Sequence, residues 1–161
     1  MSAAKGLSIT AGILTLIGSY LLSWYSTGSE YAYGIGGIFG LLGLFADLTN
    51  WINYIVIACV ILFLISFILQ FIGVKSRATA IIGAILPLVA GIFIILDTFG
   101  LDVIGVMNYM TVFETSFTIV PGIIPFDFVI PTRSESIGTY VILLGGLLSF
   151  ISGCKSRSIY Y

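Results

Sequence analysis

Reactive side chains are scarce in this chain. Seven carboxylates and six cations are spread over 161 residues, and histidine is absent. Without imidazole, the commonest proton shuttle and metal ligand is missing. Asp97 and Asp102 lie close together, and Asp47 ends an apolar stretch. Such carboxylates could hold a hard cation such as calcium, but no EF-hand or other spaced ligand pattern surrounds them. Solvated or helix-capping carboxylates are expected, with no metal and no cofactor. Cys59 lies inside an apolar run and Cys154 lies beside Lys155, so the two cysteines form no disulfide framework. Cys154 next to Lys155 and Arg157 could be S-acylated at a membrane surface; an inert free thiol is the plainer reading. There is no Walker loop, dinucleotide fingerprint, H-E-x-x-H or nucleophile elbow. Enzymatic activity is not expected.

The elements that position these residues follow from composition. Hydrophobic residues make up 59% of the chain and charged residues 8%. Soluble chains average nearer half apolar and about a quarter charged, and a small soluble domain leaves much of its surface wet. An integral membrane protein embedded in the lipid bilayer is therefore expected. The net charge of −1 gives nucleic acid no basic face to bind.

Four apolar runs, at about 7–25, 51–74, 78–99 and 137–153, reach or approach the length needed to cross a bilayer. Spanning segments must satisfy their own backbone hydrogen bonds, so each run is expected to be a helix. Lys5, Lys75, Arg77, Lys155 and Arg157 then fall on one side, which the positive-inside preference makes cytoplasmic. The acidic residues fall in or beside outer loops at 26–50 and 100–136, with Arg133 as their basic companion. The expected fold is an all-α membrane protein, a four-transmembrane-helix bundle. It forms a single multi-pass domain of the cell membrane with both termini cytoplasmic. A rival reading makes 31–46 (YAYGIGGIFGLLGLFA) a fifth span. That segment is short and carries five glycines, which lower helix propensity, so an interfacial or partly re-entrant segment is expected. The first run could also be a signal peptide. It is longer than a usual h-region and no A-x-A site follows, so its retention is expected.

FIGVKSR at 71–77 and FISGCKSR at 150–157 place Lys-Ser-Arg after the second and fourth runs. Two copies of a helical hairpin would produce this; so would convergence on basic flanks. Small residues recur at i, i+4 steps: Gly145, Ser149 and Gly153 in the fourth run, Gly83, Pro87 and Gly91 in the third, Thr15, Ser19 and Ser23 in the first. Such stripes let helix backbones approach in lipid. The second run has few small residues and is expected to present bulk to lipid. Pro87 is expected to kink its helix and free the Gly83 carbonyl.

In the second outer loop, 111–120 (TVFETSFTIV) alternates as a strand, Pro121-Gly122 suits a turn, and 123–130 (IIPFDFVI) alternates again. A small extracellular β-hairpin is expected there. Phe113, Phe117, Phe126 and Phe128 would form an apolar outer surface that needs a cover. The layout is similar to that of claudin-like proteins, four spans with an outer sheet. Their Trp-Gly-Leu-Trp and paired-cysteine signature is absent, as is the Cys-Cys-Gly motif of tetraspanins, and no family is assigned. The expected role is a structural or accessory subunit of a larger membrane assembly. It would contact other membrane subunits or a second copy through apolar outer loops and small-residue helix faces. The alternative is a homo-oligomeric channel or transporter for a small solute or cation, resting on Pro87, the glycine-rich first loop and the acidic outer face.

Overall fold

The computed structural model describes residues 3–26, 31–33, 51–98 and 137–155. Among these residues there are four helices and one two-stranded sheet. Helix α1 spans Ala3–Tyr20, α2 Trp51–Ile72, α3 Arg77–Thr98 and α4 Ile137–Cys154, with strands β1 (Ser23–Ser26) and β2 (Tyr31–Tyr33) between α1 and α2.

The end of α1 departs from the sequence expectation. The apolar run continues to Tyr25, but the helix stops at Tyr20. The amides of Leu21 and Leu22 both reach the Ile17 carbonyl, at 3.0 and 3.2 Å. The chain then extends into Ser-Trp-Tyr-Ser, aromatics that suit a pleated backbone. β1 pairs antiparallel with β2, Tyr25 opposite Ala32 and Ser26 opposite Tyr31, with an irregularity between Ser23 and Tyr25. An extra residue in one strand re-aims a side chain. Here it turns Trp24 inward, buried, with its Nε1–H donating to the Gly18 carbonyl at 2.8 Å. Tyr31–Tyr33 is strand, so no helix starts at Tyr31. The hairpin expected at 111–130 and the rest of the 31–46 segment lie outside the described residues.

The link between α2 and α3 is short. The Val74 and Lys75 amides bond to the Phe71 and Ile72 carbonyls at 3.1 and 2.8 Å, tightening the last turn. Ser76 then caps α3: its Oγ accepts from the Thr79 amide at 3.5 Å, and Thr79 Oγ1 donates to the Ser76 carbonyl at 3.0 Å. The serine of the Lys-Ser-Arg triplet is thus a helix start.

Each helix packs against two neighbours, α1 on α2 and α4, and α3 on the same pair. Inter-helix contacts fix the directions. Ser152 Oγ donates to the Ala4 carbonyl at 2.7 Å, whereas Thr139 Oγ1 donates to the Trp24 carbonyl at 3.0 Å, so α4 runs against α1. Gly153 lies at Arg77 and Gly91 at Leu143, so α4 also runs against α3. Thr15 meets Gln70 and Tyr20 meets Val60, so α2 runs against α1. The result is an up-down-up-down bundle. Lys5, Lys75, Arg77 and Lys155 all come to one end of it, and all are exposed.

The radial distribution of residue types departs from that of a soluble bundle, although Tyr20, Trp24, Val60, Phe63, Ile94 and Ile142 form a buried cluster. Large apolar side chains face outward: Ile61, Leu62, Ile65, Ile68 and Ile72 on α2, Ile82, Ile85, Val89 and Ile92 on α3, Leu144, Leu147 and Ile151 on α4. Fully buried positions include Ser8, Thr15, Gln70, Thr139, Ser149 and Ser152.

Candidate functional site

The densest polar chemistry in the interior begins with a proline. Pro87 is buried inside α3 and has no amide hydrogen, so the carbonyl four residues earlier loses its helical donor. That carbonyl belongs to Gly83. It accepts from Ser66 Oγ at 2.6 Å and from Gln70 Nε2 at 2.8 Å, both on α2. Ser66 and Gln70 are one helical turn apart and share a face. The other end of the Gln70 amide, Oε1, accepts from Thr15 Oγ1 of α1 at 2.9 Å. Gln70 is fully buried.

Glycines make this geometry attainable. A Cβ at Gly83 would stand 2.9 Å from both the Gln70 nitrogen and the Ser66 carbonyl oxygen, so the α2 and α3 backbones touch there. A Cβ at Gly145 of α4 would stand 2.6 Å from Thr15 Oγ1 and 3.0 Å from the Thr15 nitrogen. All four helices therefore converge on one level: Thr15, Gln70, Gly83 and Gly145.

The network is neutral throughout. It has donors and acceptors that orient the helices, and none of the acidic or basic side chains that proton relays and ion sites ordinarily use. Nearer the basic end, Ser149 Oγ donates to the Ala80 carbonyl at 2.7 Å and Ser152 Oγ to Ala4. The buried hydroxyls of Ser8 and Ser19 have no hydrogen-bond partner among the described residues.

The six residues singled out for helix packing are all buried. Gly83 and Pro87 sit at the network. A Cβ at Gly91 would stand 3.0 Å from the Leu143 Cβ. Gly145 abuts Thr15, Ser149 holds α3, and Gly153 abuts Ile81, where a Cβ would stand 3.1 Å from the Arg77 carbonyl oxygen. Gly12, Gly18, Gly73 and Gly146 make close approaches of the same kind and were not singled out by stripe spacing. For Gly146 a signal was available in Gly145-Gly146, where adjacent glycines serve two neighbouring helices, α1 and α3. Phe113, Phe117, Phe126 and Phe128 lie outside the described residues. Among the described residues no group of three His, Cys, Asp or Glu side chains could hold a metal. Cys154 is a free, exposed thiol.

Fold and site together define a four-helix bundle with a neutral polar interior. Two of its helices, over Arg77–Leu96 and Ile137–Cys154, are long and apolar enough to cross a membrane. Compared with known proteins, the chain matches no family model, no curated protein sequence and no solved structure.

Proposed function

We propose that this chain is a four-helix, multi-pass protein of the cell membrane acting as a structural or accessory subunit of a larger membrane assembly. The observation that carries the reading is the radial pattern. Isoleucine, leucine and valine cover the outside of α2, α3 and α4, while buried serine, threonine, glutamine and glycine share the inside with one cluster of large side chains. Water would penalise such an exterior at about 25 cal/mol per Å² of exposed apolar surface; hydrocarbon does not. The clustering of four exposed cations at one end supports a cytoplasmic position for that end, and hence for both termini.

A structural role is favoured over conduction because, Ser8 and Ser19 apart, the buried polar side chains of the described residues hydrogen-bond to one another or to backbone carbonyls, and none is charged. The small-residue faces of α3 and α4 are engaged inside the bundle. Contacts to partners therefore fall to the aliphatic exterior and to the apolar outer loops.

The test is the mass and composition of the detergent-solubilised particle purified from its native membrane. Foreign subunits in fixed stoichiometry are expected. Replacing Phe113 and Phe117 by serine is expected to release them while the helices stay inserted. A particle containing only this chain, with ion-selective flux in liposomes, would replace the structural reading with the channel.

A further inference from the structure

We propose that the basic end of the bundle is a binding site for the phosphate headgroup of an anionic phospholipid, seated on α1, α4 and α3 with Lys5, Lys155 and Arg77 as its cations. The proposal rests on the membrane reading above and adds a lipid class and a place.

The helix ends that carry the three cations meet closely. Lys5 follows Ala4, whose carbonyl accepts the Ser152 hydroxyl of α4 at 2.7 Å. Lys155 lies three residues beyond Ser152, and its amide bonds to the Ile151 carbonyl at 3.0 Å, so it continues the helical turn. Gly153, between them, has no side chain and lies against the first residue of α3: a Cβ there would be 3.1 Å from the Arg77 carbonyl oxygen. The end of α4 is thus wedged between the starts of α1 and α3, with one cation on each helix. Lys75 lies two residues before Arg77, in the turn that precedes α3.

Among the described residues these charges have no carboxylate side chain beside them. Asp and Glu are absent from 3–26, 51–96 and 137–155, the described stretches of the helices that meet at this end. Like charges held together without an anion repel, and a phosphate removes the penalty. One cation also continues an outward-facing apolar stripe. Leu144, Leu147 and Ile151 are exposed along one face of α4, and Lys155 is the next position on it, four residues after Ile151. An acyl chain lying along such a stripe delivers its phosphate to the cation at the end. A soluble anion would use the charges and leave the stripe without a role. Basic clusters immediately beside spanning helices attract anionic headgroups by this electrostatic term.

The experiment uses the purified full chain in a zwitterionic detergent. It is mixed with phosphatidylglycerol, phosphatidylcholine or inorganic phosphate, and read by lipid retention in native mass spectrometry and by thermal unfolding. Preferential retention of phosphatidylglycerol is expected, falling about fivefold per cation removed in Lys5→Gln, Arg77→Gln and Lys155→Gln, and weakening as salt is raised. The charge-conserving set Lys5→Arg, Arg77→Lys and Lys155→Arg should keep the preference, which separates loss of charge from loss of fold. Equal retention of the two lipids, or a preference unchanged in the triple glutamine variant, overturns the proposal. Stabilisation by inorganic phosphate equal to that by phosphatidylglycerol overturns the lipid assignment in favour of a soluble anion. Partitioning of the wild-type chain into the detergent-rich phase on cloud-point separation is read in parallel. A chain that stays aqueous refutes the membrane reading itself. A chain that partitions but shows no lipid preference refutes only the site.

Discussion

The two halves of the bundle are held together by different physics. Between the basic end and the Gln70 level, helices meet through Ala4, Ser8, Ala11, Gly73, Ala80, Gly83, Gly145, Ser149 and Gly153, and hydroxyl and amide side chains bond to carbonyls of neighbouring helices. Beyond that level Gly18 and Gly91 still lie close to Ile142 and Leu143, and Thr139, Tyr20 and Trp24 still bond to carbonyls, but the large buried side chains gather there. Tyr20, Trp24, Val60, Phe63, Ile94 and Ile142 form one cluster. Tyr20 stands edge-on to Phe67 at 6.5 Å, and Trp24 lies 5.5 Å from Phe63. Lipid supplies no hydrophobic drive for helices to associate, so either close backbone approach or dispersion between large side chains has to do so. The first solution is unforgiving of added volume. The second is tolerant, because side chains can repack. The halves should therefore respond to substitution in opposite ways.

The largest effect is expected from Gly83→Leu and Gly145→Leu. At both positions the atoms nearest to a new Cβ include backbone atoms of the facing helix, which cannot rotate away. Both variants should lose the cooperative thermal transition in detergent. Melting near the wild-type temperature would show that the backbones do not touch at this level, and the contrast between halves would disappear.

Gln70→Leu comes next. It keeps approximate volume but removes the bonds to Thr15 and Gly83. Thr15 loses its acceptor, while the Gly83 carbonyl retains Ser66. A loss of about 2 kcal/mol follows from leaving a buried polar group unsatisfied, read as a lowered unfolding midpoint. Combining Gln70→Leu with Thr15→Val should recover part of that loss, because the orphaned hydroxyl goes too.

How much of this was legible beforehand differs between the two halves. Helix positions followed from apolar run length and basic flanks, since both are one-dimensional properties. The stripes Gly83/Pro87/Gly91 and Gly145/Ser149/Gly153 were legible because i, i+4 spacing alone puts residues on one face. The Gln70–Gly83 bond was not, although Pro87 announced a carbonyl in need of a donor. It joins positions 13 apart across a turn, and the register depends on how residues 73–76 close. The end of α1 at Tyr20 was hidden for a different reason. Leu21, Leu22, Trp24 and Tyr25 are as apolar as the helix before them, so hydropathy continues through a change of backbone conformation.

In the bulky half, Tyr20→Phe should matter less. It removes one hydrogen bond, Tyr20 Oη to the Val60 carbonyl at 2.9 Å, and keeps the ring against Phe67. The Val60 carbonyl belongs to a helix and keeps its own backbone donor. A cost of about 1 kcal/mol or less is expected, in line with interhelical bonds in lipid. A loss as large as that of Gln70→Leu would mean that the aromatic half also depends on polar contacts.

The smallest effect is expected from Leu144→Val. Leu144 is one residue from Gly145 in sequence, yet it is 47% exposed on the outer face of α4 while Gly145 is buried. If that face meets hydrocarbon, the side chain has equally apolar surroundings in the folded bundle and in the separated helices, so trimming it changes little. The unfolding midpoint should shift by less than about 0.5 kcal/mol in equivalent stability, the range of substitutions that touch nothing specific. The informative outcome is a failure of this expectation. A loss comparable to that of Tyr20→Phe would show that Leu144 packs against protein, which on this face means a neighbouring subunit. Repeating the melt over a range of protein concentrations would then identify that neighbour. A concentration-dependent midpoint points to a second copy of the chain; a constant midpoint points to a co-purified partner.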